Sequence, residues 1–438
     1  MNTIRAAILT LGCRVNQYES DAIATRFEEL GAEICPASER ADIYVINTCT
    51  VTAESDRKSR QMIRRCIKKN PDAIIGVTGC FSQVSPEAAA AIPGVALVCG
   101  NDRKLTVADR AMALVRERKA EICHVDVGDI FASSFEEMAI RKPESRTRAF
   151  LKIEDGCESK CAYCIIPYAR GKIRSKRPED VLREVRMIAA HGCREVVLTG
   201  IETSSYGKDL DMPYDLADLL AEVDKVEGID RIRLGSLDPA AMTEDLVDRL
   251  ATLTKLMPHF HISMQSGSDS VLKRMRRRYL SATALHRMNY IREKIPHVMF
   301  STDLIVGFPG ETDAEFEETM AFCREAKFYH LHIFPYSKRT GTPAATMPNQ
   351  VAEDVKDRRL ATLSAQQAEI REALARESIA SQPQVNVLFE AWDKEYIYGH
   401  TENFIEVKAP VDPSLSGEIV PVCLLGYEKG ICICKPLV

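Results

Sequence analysis

No stretch of about 18 uncharged apolar residues occurs in the 438-residue chain, which excludes a membrane-spanning helix. The opening Met1-Asn2-Thr3-Ile4-Arg5 lacks the charged-then-apolar layout of a secretory signal, so the expected compartment is the cytoplasm and no membrane partner is expected. Net positive charge is missing too. The formal charge is −5, so the molecule has no general attraction for nucleic acid and any RNA contact must use local patches. What is present is an ordinary globular composition, 45% hydrophobic and 28% charged, in a chain long enough for two or three domains. Fifteen cysteines stand out. In a large chain of this kind they read as metal ligands, catalytic thiols or small buried hydrophobes rather than disulfides.

The fold class expected is α/β. Residues 1–132 alternate short apolar runs (Ile4 to Thr10, Ile43 to Asn47, Ala73 to Thr78) with helical stretches at 19–30 and 54–69, the pattern of a parallel α/β sheet. A connector containing proline and charge near 133–147 has no periodicity and marks a boundary. The alternation repeats over 145–372, with strand candidates at 149–154, 195–199, 231–235, 259–264, 300–306 and 328–334. Amphipathic stretches at 178–191, 214–225, 243–255 and 281–294 separate several of them. Six βα units predict a partial (β/α)6 barrel rather than the closed eight-unit form, with its site at the carboxyl ends of the strands. Residues 351–380 contain no glycine or proline and predict one long helix, ended by Pro383. Residues 376–438 form the last unit, most of it apolar–polar alternation around turns, which predicts a small β-barrel of the oligonucleotide-binding sort.

Cys157, Cys161 and Cys164 form C-x₃-C-x₂-C directly after the strand candidate 149–154. With fifteen cysteines, chance would place this spacing roughly 0.02 times in such a chain, so the motif carries chemistry. Structural zinc asks for four ligands and no obvious fourth lies nearby, which leaves zinc the weaker alternative. A cubane of four irons on three thiolates leaves one iron open.

The segment resembles the radical S-adenosylmethionine superfamily, including an aromatic residue, Tyr163, before the third cysteine. Val197-Leu198-Thr199-Gly200-Ile201-Glu202 occupies the place of that family's glycine-rich strand end, and Leu304-Ile305-Val306-Gly307-Phe308-Pro309-Gly310-Glu311 resembles its later glycine motif. The resemblance implies cofactor contacts from Tyr163, Gly200, Ile201, Glu202, Ser236, Gln265, Arg277, Asp303 and Gly307. From the residues alone, Gly200 and Gly307 read equally as turn residues, and Arg277, within Met275-Arg276-Arg277-Arg278-Tyr279, as part of a surface helix.

Cys13, Cys49 and Cys80 are too far apart for a local motif, yet each lies just past the end of a predicted strand of one parallel sheet, where ligands of such sheets gather. Three separate buried cysteines is the alternative. The stretches from Thr10 to Ser20, Asn47-Thr48-Cys49-Thr50-Val51-Thr52 and Val77-Thr78-Gly79-Cys80 resemble the N-terminal domain of the methylthiotransferases. That likeness extends to His261-Ile262-Ser263-Met264-Gln265-Ser266-Gly267, to 334–343 and to a terminal module similar to a TRAM domain. It implies that Cys13, Cys49 and Cys80 hold an auxiliary [4Fe–4S] cluster beside that of Cys157, Cys161 and Cys164. All six cysteines thereby become catalytic candidates. The auxiliary cluster offers a sulfur that one S-adenosylmethionine methylates, and a second S-adenosylmethionine gives the 5′-deoxyadenosyl radical. A low-potential donor such as flavodoxin or ferredoxin is implied as well. Cys35, Cys66, Cys99, Cys123, Cys193, Cys323, Cys423, Cys432 and Cys434 read as packing residues.

Among the family's branches, acting on isopentenyl-adenosine in tRNA, threonylcarbamoyl-adenosine in tRNA or a ribosomal-protein aspartate, the segments around Cys13 and Cys49 resemble the second most. The implied partner is a tRNA anticodon stem-loop, modified at position 37. Arg57, Arg60, Arg64 and Lys68 follow helical spacing just after Cys49 and are phosphate-binding candidates; a solvated charged face is the alternative. Further basic patches are Arg141/Lys142/Arg146/Arg148, Lys172/Arg174/Lys176/Arg177 and Lys273/Arg274/Arg276/Arg277/Arg278. Trp392, Tyr396 and Tyr398 serve either base stacking or the core of the terminal module.

Overall fold

The computed structural model describes residues 3–117, 123–140 and 147–437. Ile43–Thr48 and Ile74–Gly79 are buried at every position, as central parallel strands must be when both faces are covered. They stand in a six-stranded parallel sheet ordered Glu33–Ile34, Arg5–Thr10, Ile43–Thr48, Ile74–Gly79, Leu97–Cys99, His124–Asp126. Register pairs Thr10 with Asn47 and Thr48 with Gly79, so three neighbouring strands end at nearly one level. The first helix is Arg14–Glu29 and starts ahead of the expected residue 19. Its opening turns carry buried polar Asn16, Glu19 and Ser20, which hide the apolar stripe from a periodicity reading. The connector after the sheet is a strap rather than a spacer. Met138 and Ile140 are buried, and the Glu136 carboxylate accepts the amides of Lys104 and Leu105, both at 2.9 Å.

Six parallel strands then follow in chain order: Arg148–Lys152, Glu195–Thr199, Arg231–Leu234 continued by Ser236–Leu237, His259–Ile262, Met299–Val306 and His330–Pro335. Among the described residues the first and last do not pair, so the barrel stays open on that side. Strand alternation assigns the two faces. Ala149, Leu151, Val196, Leu198, Ile232, Phe260, Phe300 and Leu331 pack in the largest apolar core beneath the helices. Arg148, Phe150, Glu195, Arg231, Arg233, His259, His261, Ser301, Asp303, His330 and His332 alternate with them and turn to the lumen. Closed eight-stranded barrels fill that space with branched apolar side chains; here it is lined by charge and imidazole.

Helix Glu353–Ser381 leads into a closed five-stranded barrel, ordered Gln384–Trp392, Tyr396–Thr401, Glu406–Pro410, Ile431–Pro436, Ile419–Glu428. Val387, Phe389, Ile397, Val407, Val422, Cys432 and Cys434 fill it. Trp392 is 52% exposed and Tyr396 has the Lys408 ammonium 4.3 Å from its ring, so these aromatics belong to the outer face and not the core. Among the described residues no helix is long and apolar enough to cross a membrane.

The small barrel plugs the amino-terminal mouth of the large one. Arg231 donates to the carbonyls of Asn386 and His400 (2.9 and 3.2 Å), and Arg233 to those of Thr401 and Glu402 (3.0 Å each). Phe404 stacks on the rings of His259 and His400 (4.8 and 4.3 Å) with the guanidinium groups of Arg148 and Arg233 at 5.1 and 4.7 Å. At the centre lies Glu195. Burial opposes its charge, but Arg233, Arg148 and Arg231 hold its carboxyl down at about 2 against an ordinary 4.5. A depressed carboxylate stabilises the fold above its unfolded pKa and loses that contribution as pH falls toward the folded value. Between about pH 4.5 and 2, the unfolding free energy of the native chain from urea titration is therefore expected to drop by about 3 kcal/mol more than that of Glu195→Gln. Parallel pH profiles for the two proteins would refute this.

Candidate functional site

The first strand of the partial barrel runs into Glu154 and Asp155, and the chain then turns at Gly156 into the loop bearing Cys157, Cys161 and Cys164. This loop closes over the carboxyl mouth: the Cys157 amide donates to the Gly171 carbonyl (3.1 Å) and that of Ala162 to Met275 (2.9 Å). N–H donors point at the sulfurs. The Ser159 amide lies 3.4 Å from Cys157 Sγ, and Arg277 Nη1 lies 3.3 Å from Cys161 Sγ. Arg277 is held by Asp238 (3.0 Å) and the Ser263 carbonyl (2.8 Å), with its side chain 8% exposed, which removes the surface-helix reading. Burial, helped by the Glu202 carboxylate, pushes the Cys157 thiol well up, and burial raises Cys164 to about 12. Thiols of this kind stay protonated at neutral pH until a metal displaces the proton. N–H···S contacts of this type suit an iron–sulfur cluster.

The other expected cofactor residues ring the same mouth. A Cβ on Gly200 would sit 2.5 Å from Glu154 Oε2, and that oxygen accepts the Glu202 amide at 2.9 Å, so Gly200, Ile201 and Glu202 are drawn against the cysteine loop. Tyr163 meets Phe308 edge-on at 6.5 Å, and the Gly307 amide donates to Glu311 at 2.6 Å. Gln265, in the left-handed region at φ 71, bridges the Asp303 carbonyl (2.8 Å) and the Ile305 amide (2.9 Å). Ser236 opens the short continuation of the third strand. Asp303 lies deeper in the lumen, where His261 Nε2 approaches it to 3.3 Å. His261, Asp303 and His332 bring one ligand atom each within 4.8 Å of one another, a composition able to hold a divalent cation or a proton.

In the N-terminal sheet, Cys13 caps helix Arg14–Glu29, Cys49 follows Ile43–Thr48 and Cys80 opens the helical turn after Ile74–Gly79. Two glycines make the convergence possible. Gly12 has φ 106, and a Cβ there would lie 2.9 Å from Cβ and 3.2 Å from Sγ of Cys49; at Gly79, φ 98, it would lie 2.4 Å from the Thr48 carbonyl oxygen. The turns before Cys13 and Cys80 thus both press on the Cys49 segment, and the three thiols feel one another's charge. Burial raises Cys13, and raises Cys49 to about 11. Cys13 keeps open surface although protein surrounds it, which puts it at the rim of a recess. Asn101 Nδ2 stands 3.7 Å from Cys80 Sγ.

One buried ion cluster joins the two cysteine sets. Arg170 reaches Glu19 (2.5 Å), Asp155 (3.1 Å) and Asn16 Oδ1 (2.5 Å); Lys152 reaches Glu19 (3.0 Å) and Asp155 (3.2 Å); Lys104 pairs with Glu19. Asn47 Nδ2 donates to the Asn16 carbonyl (2.9 Å) and Ser20 (3.1 Å), and Asn16 Nδ2 to the carbonyls of Leu11 (2.6 Å) and Thr48 (3.1 Å). Burial opposes the Glu19 charge, but Arg170, Lys104 and Lys152 hold its carboxyl well below the usual range. Arg170 carries no sequence signal beyond its closeness to Cys164, and the lumen histidines are visible only once the alternation of the strands is known.

The RNA-contact expectations divide. Arg64 and Lys68 are exposed on helix Ala53–Lys69, Arg60 lies 5.7 Å over the Phe81 ring, and Arg57 is engaged bidentately by Glu54 (2.6 and 2.7 Å). In the other basic patches four cations are corrected, while Lys172, Arg177, Lys273, Arg276 and Arg278 stay exposed. Arg174 and Lys176 are buried against Asp155 and Glu184, Arg274 is paired with Glu315, and Arg148 faces the lumen between Glu195 and Glu390. Their acidic partners lie far off in the chain or are hidden by the fold, so like charges that cluster in sequence need not share a surface. Arg141, Lys142 and Arg146 lie outside the described residues.

Residues 151–323 match the Radical SAM superfamily and residues 5–100 the Uncharacterized protein family UPF0004, so fold and site define a radical S-adenosylmethionine enzyme, with S-adenosylmethionine and iron–sulfur clusters as cofactors. Threonylcarbamoyladenosine tRNA methylthiotransferase MtaB of Bacillus subtilis (strain 168) is 43% identical, covering 96% of this chain and 94% of its own. MtaB of Rickettsia prowazekii (strain Madrid E) is 36% identical over 99% and 98%. The tRNA-2-methylthio-N(6)-dimethylallyladenosine synthase of Pelotomaculum thermopropionicum is 36% identical over 96% and 94%. The chain belongs to the radical S-adenosylmethionine tRNA methylthiotransferase family, as its cysteine motifs led us to expect. The solved structure of the radical S-adenosylmethionine methyltransferase TsrM from Kitasatospora setae shares the fold at TM-score 0.55 and 15% identity, covering 78% of this chain and 77% of that one.

Removing one partner of a buried ionic set leaves uncompensated charge. Glu19→Gln is therefore expected to destabilise the chain by about 3–5 kcal/mol, seen as a lowered thermal unfolding midpoint. A midpoint within error of the native chain would show that the cluster does not hold the sheet to the barrel.

Proposed function

We propose that this chain installs a methylthio group at C2 of N6-threonylcarbamoyladenosine at position 37 of tRNA. The observation that carries the reading is the joining of two incomplete cysteine triads through one buried ion cluster, in a chain 43% identical to an MtaB along 96% of its length. Cys157, Cys161 and Cys164 would hold one [4Fe–4S] cluster and Cys13, Cys49 and Cys80 the other, each with one iron lacking a cysteine. When bound, the clusters supply reductive cleavage of S-adenosylmethionine and the sulfur that is transferred.

The chain's own residues do the rest. Arg277 and the Ser159 amide donate toward the sulfurs at the barrel mouth, and Asn101 does so at the sheet. Gly200, Ile201, Glu202, Ser236, Gln265 and Gly307 form the wall against which S-adenosylmethionine is oriented. His261 and Asp303, within hydrogen-bond reach of each other in the lumen, can orient a bound base by hydrogen bonding. Arg60, Arg64 and Lys68 extend a cationic face from the rim near Cys49 for the anticodon-loop backbone, with Arg57 at its start. The terminal barrel, 376–438, resembles a TRAM module and offers Trp392 and the Tyr396–Lys408 pair as a base-stacking surface; 1–132 and 145–372 are the other two units. Cytoplasmic location and a flavodoxin- or ferredoxin-like electron donor follow from the same chemistry.

In a strain lacking this chain, tRNA nucleoside analysis is expected to show loss of the methylthio derivative of threonylcarbamoyladenosine, with the precursor accumulating and methylthio-isopentenyladenosine unchanged. Unchanged methylthio-threonylcarbamoyladenosine would overturn the assignment. Anaerobically reconstituted protein is expected to hold about eight irons, and the Cys13→Ala/Cys49→Ala/Cys80→Ala protein about four. That variant should still release 5′-deoxyadenosine while losing methylthiolation. Equal iron content in the two proteins would refute the cluster assignment.

A further inference from the structure

We propose that Arg14 and His332 form a carboxylate-binding subsite that receives the threonyl arm of the substrate nucleoside; the inference rests on the substrate proposed above and names how it is recognised. Arg14 directly follows Cys13, in the first turn of its helix, and its guanidinium carbon stands 4.6 Å over the Phe150 ring centroid. Phe150 lies on the lumen face of the first barrel strand. Arg14 therefore occupies the open side of the barrel, between the rim cysteine of the sheet and the lumen.

Its neighbours are spoken for and it is not. Arg148 is paired with Glu195 and Glu390, Arg170 with Glu19 and Asp155, and Lys152 with the same two carboxylates. Arg14 is exposed and, among the described residues, makes neither ion pair nor hydrogen bond. An aromatic platform fixes the direction of a guanidinium without consuming its fork of donors, which remain free for a planar anion. Across the opening, His332 is exposed on the lumen face of the last strand, with His330 4.4 Å away and within reach of the Arg14 charge. The carboxylates nearby are engaged elsewhere, Asp303 by His261 and Glu390, whose charge Arg14 feels, by Arg148 and His400, so neither is paired with Arg14. Phe334, 43% exposed on the same face, adds a second apolar wall.

A gap lined by rings and ending in a free guanidinium fits a flat purine carrying an anionic arm. The threonyl carboxylate, with an ordinary pKa of about 3.3–3.7, is ionised at neutral pH and matches the guanidinium bidentately. An isopentenyl arm offers Arg14 nothing. An RNA phosphate or the carboxylate of S-adenosylmethionine could present similar chemistry, and the test separates these sources.

The test uses reconstituted holoenzyme with iron content and cluster EPR signals checked. Dissociation constants are measured for anticodon stem-loops carrying either threonylcarbamoyladenosine or its neutral threonine carboxamide. The native enzyme is expected to favour the acid by about 10- to 100-fold. Arg14→Gln should abolish that preference and Arg14→Lys keep part of it, with S-adenosylmethionine affinity unmoved in both. Equal binding of acid and amide by the native enzyme overturns the proposal, and this comparison needs no variant. So does a preference that survives in Arg14→Gln. Equal weakening of both RNAs in Arg14→Gln assigns the residue to phosphate instead, and a shift confined to S-adenosylmethionine affinity assigns it to that carboxylate. Native enzyme that methylthiolates an isopentenyl stem-loop but not the threonylcarbamoyl one refutes the substrate itself, independently of Arg14.

Discussion

The structure depends on a set of ionised groups buried at the seam between the N-terminal sheet and the partial barrel. Glu19 and Asp155 are the anions; Lys104, Lys152, Arg170 and Arg174 are the cations, all at most 8% exposed at their side chains. Desolvating so many charges is costly, and hydrophobic residues of similar volume would hold two surfaces together at least as firmly. What the ionic set adds is position. Asn16 stands one turn after Cys13, Asn47 two residues before Cys49 and Asp155 two residues before Cys157, so the backbones that carry three of the six cysteines hang from the same hydrogen bonds. The set also carries more cations than anions. Arg170 draws the Cys13 thiol toward its ionised form against the larger effect of burial, and the same field favours any anionic group bound between the cysteines.

The second constraint is the lumen. A six-stranded arc cannot close, and its inner face would be wet from both ends if nothing blocked them. At the amino-terminal end the answer is Phe404, held at φ 68 between two imidazoles and two guanidinium groups, with Arg231 and Arg233 clamped to carbonyls of the terminal barrel. The terminal module thus seals the barrel with one face while its aromatic outer face stays free. Glu195 makes this arrangement tolerable: without its charge three guanidinium groups would meet with only Glu390, on Arg148, to offset them.

Much of this was legible in the sequence because its signals are local. The C-x₃-C-x₂-C spacing, the Gly-Cys pairs after apolar runs and the strand-sized segments 195–199 and 300–306 are each contained within a few consecutive residues. What stayed hidden depends on which partners the fold brings together. Arg174 and Lys176 look like a basic patch until Asp155 and Glu184 are brought beside them. The start of helix Arg14–Glu29 was masked because its inward face is polar, which no hydrophobic period detects. Strands as short as Leu97–Cys99 and His124–Asp126 offer too few residues for alternation to be read. Phe404 had no signal at all, since its role exists only once two barrels meet.

The openness of the barrel and the rigidity of the seam belong together. On the first-strand side, the sheet is tied through Glu19 to Lys152 and Arg170, which also hold Asp155. On the last-strand side, the loop after His330–Pro335 returns to the sheet: Arg339 reaches Thr50 (2.6 Å) and Asp56 (2.7 Å), and Ser337 accepts the Ala53 amide (2.9 Å). The gap between first and last strands is therefore bridged at both edges by the segments that carry Cys13 and Cys49. A joint fixed at two edges resists the hinge motion that a single linker would permit. The two thiol sites then keep one separation, and a substrate must reach both from a single bound position, through the opening where Arg14 lies. An enzyme whose chemistry needs a radical from one side and sulfur from the other gains from such a frame because the reacting atoms are held in place by the fold itself and not by successive domain movements.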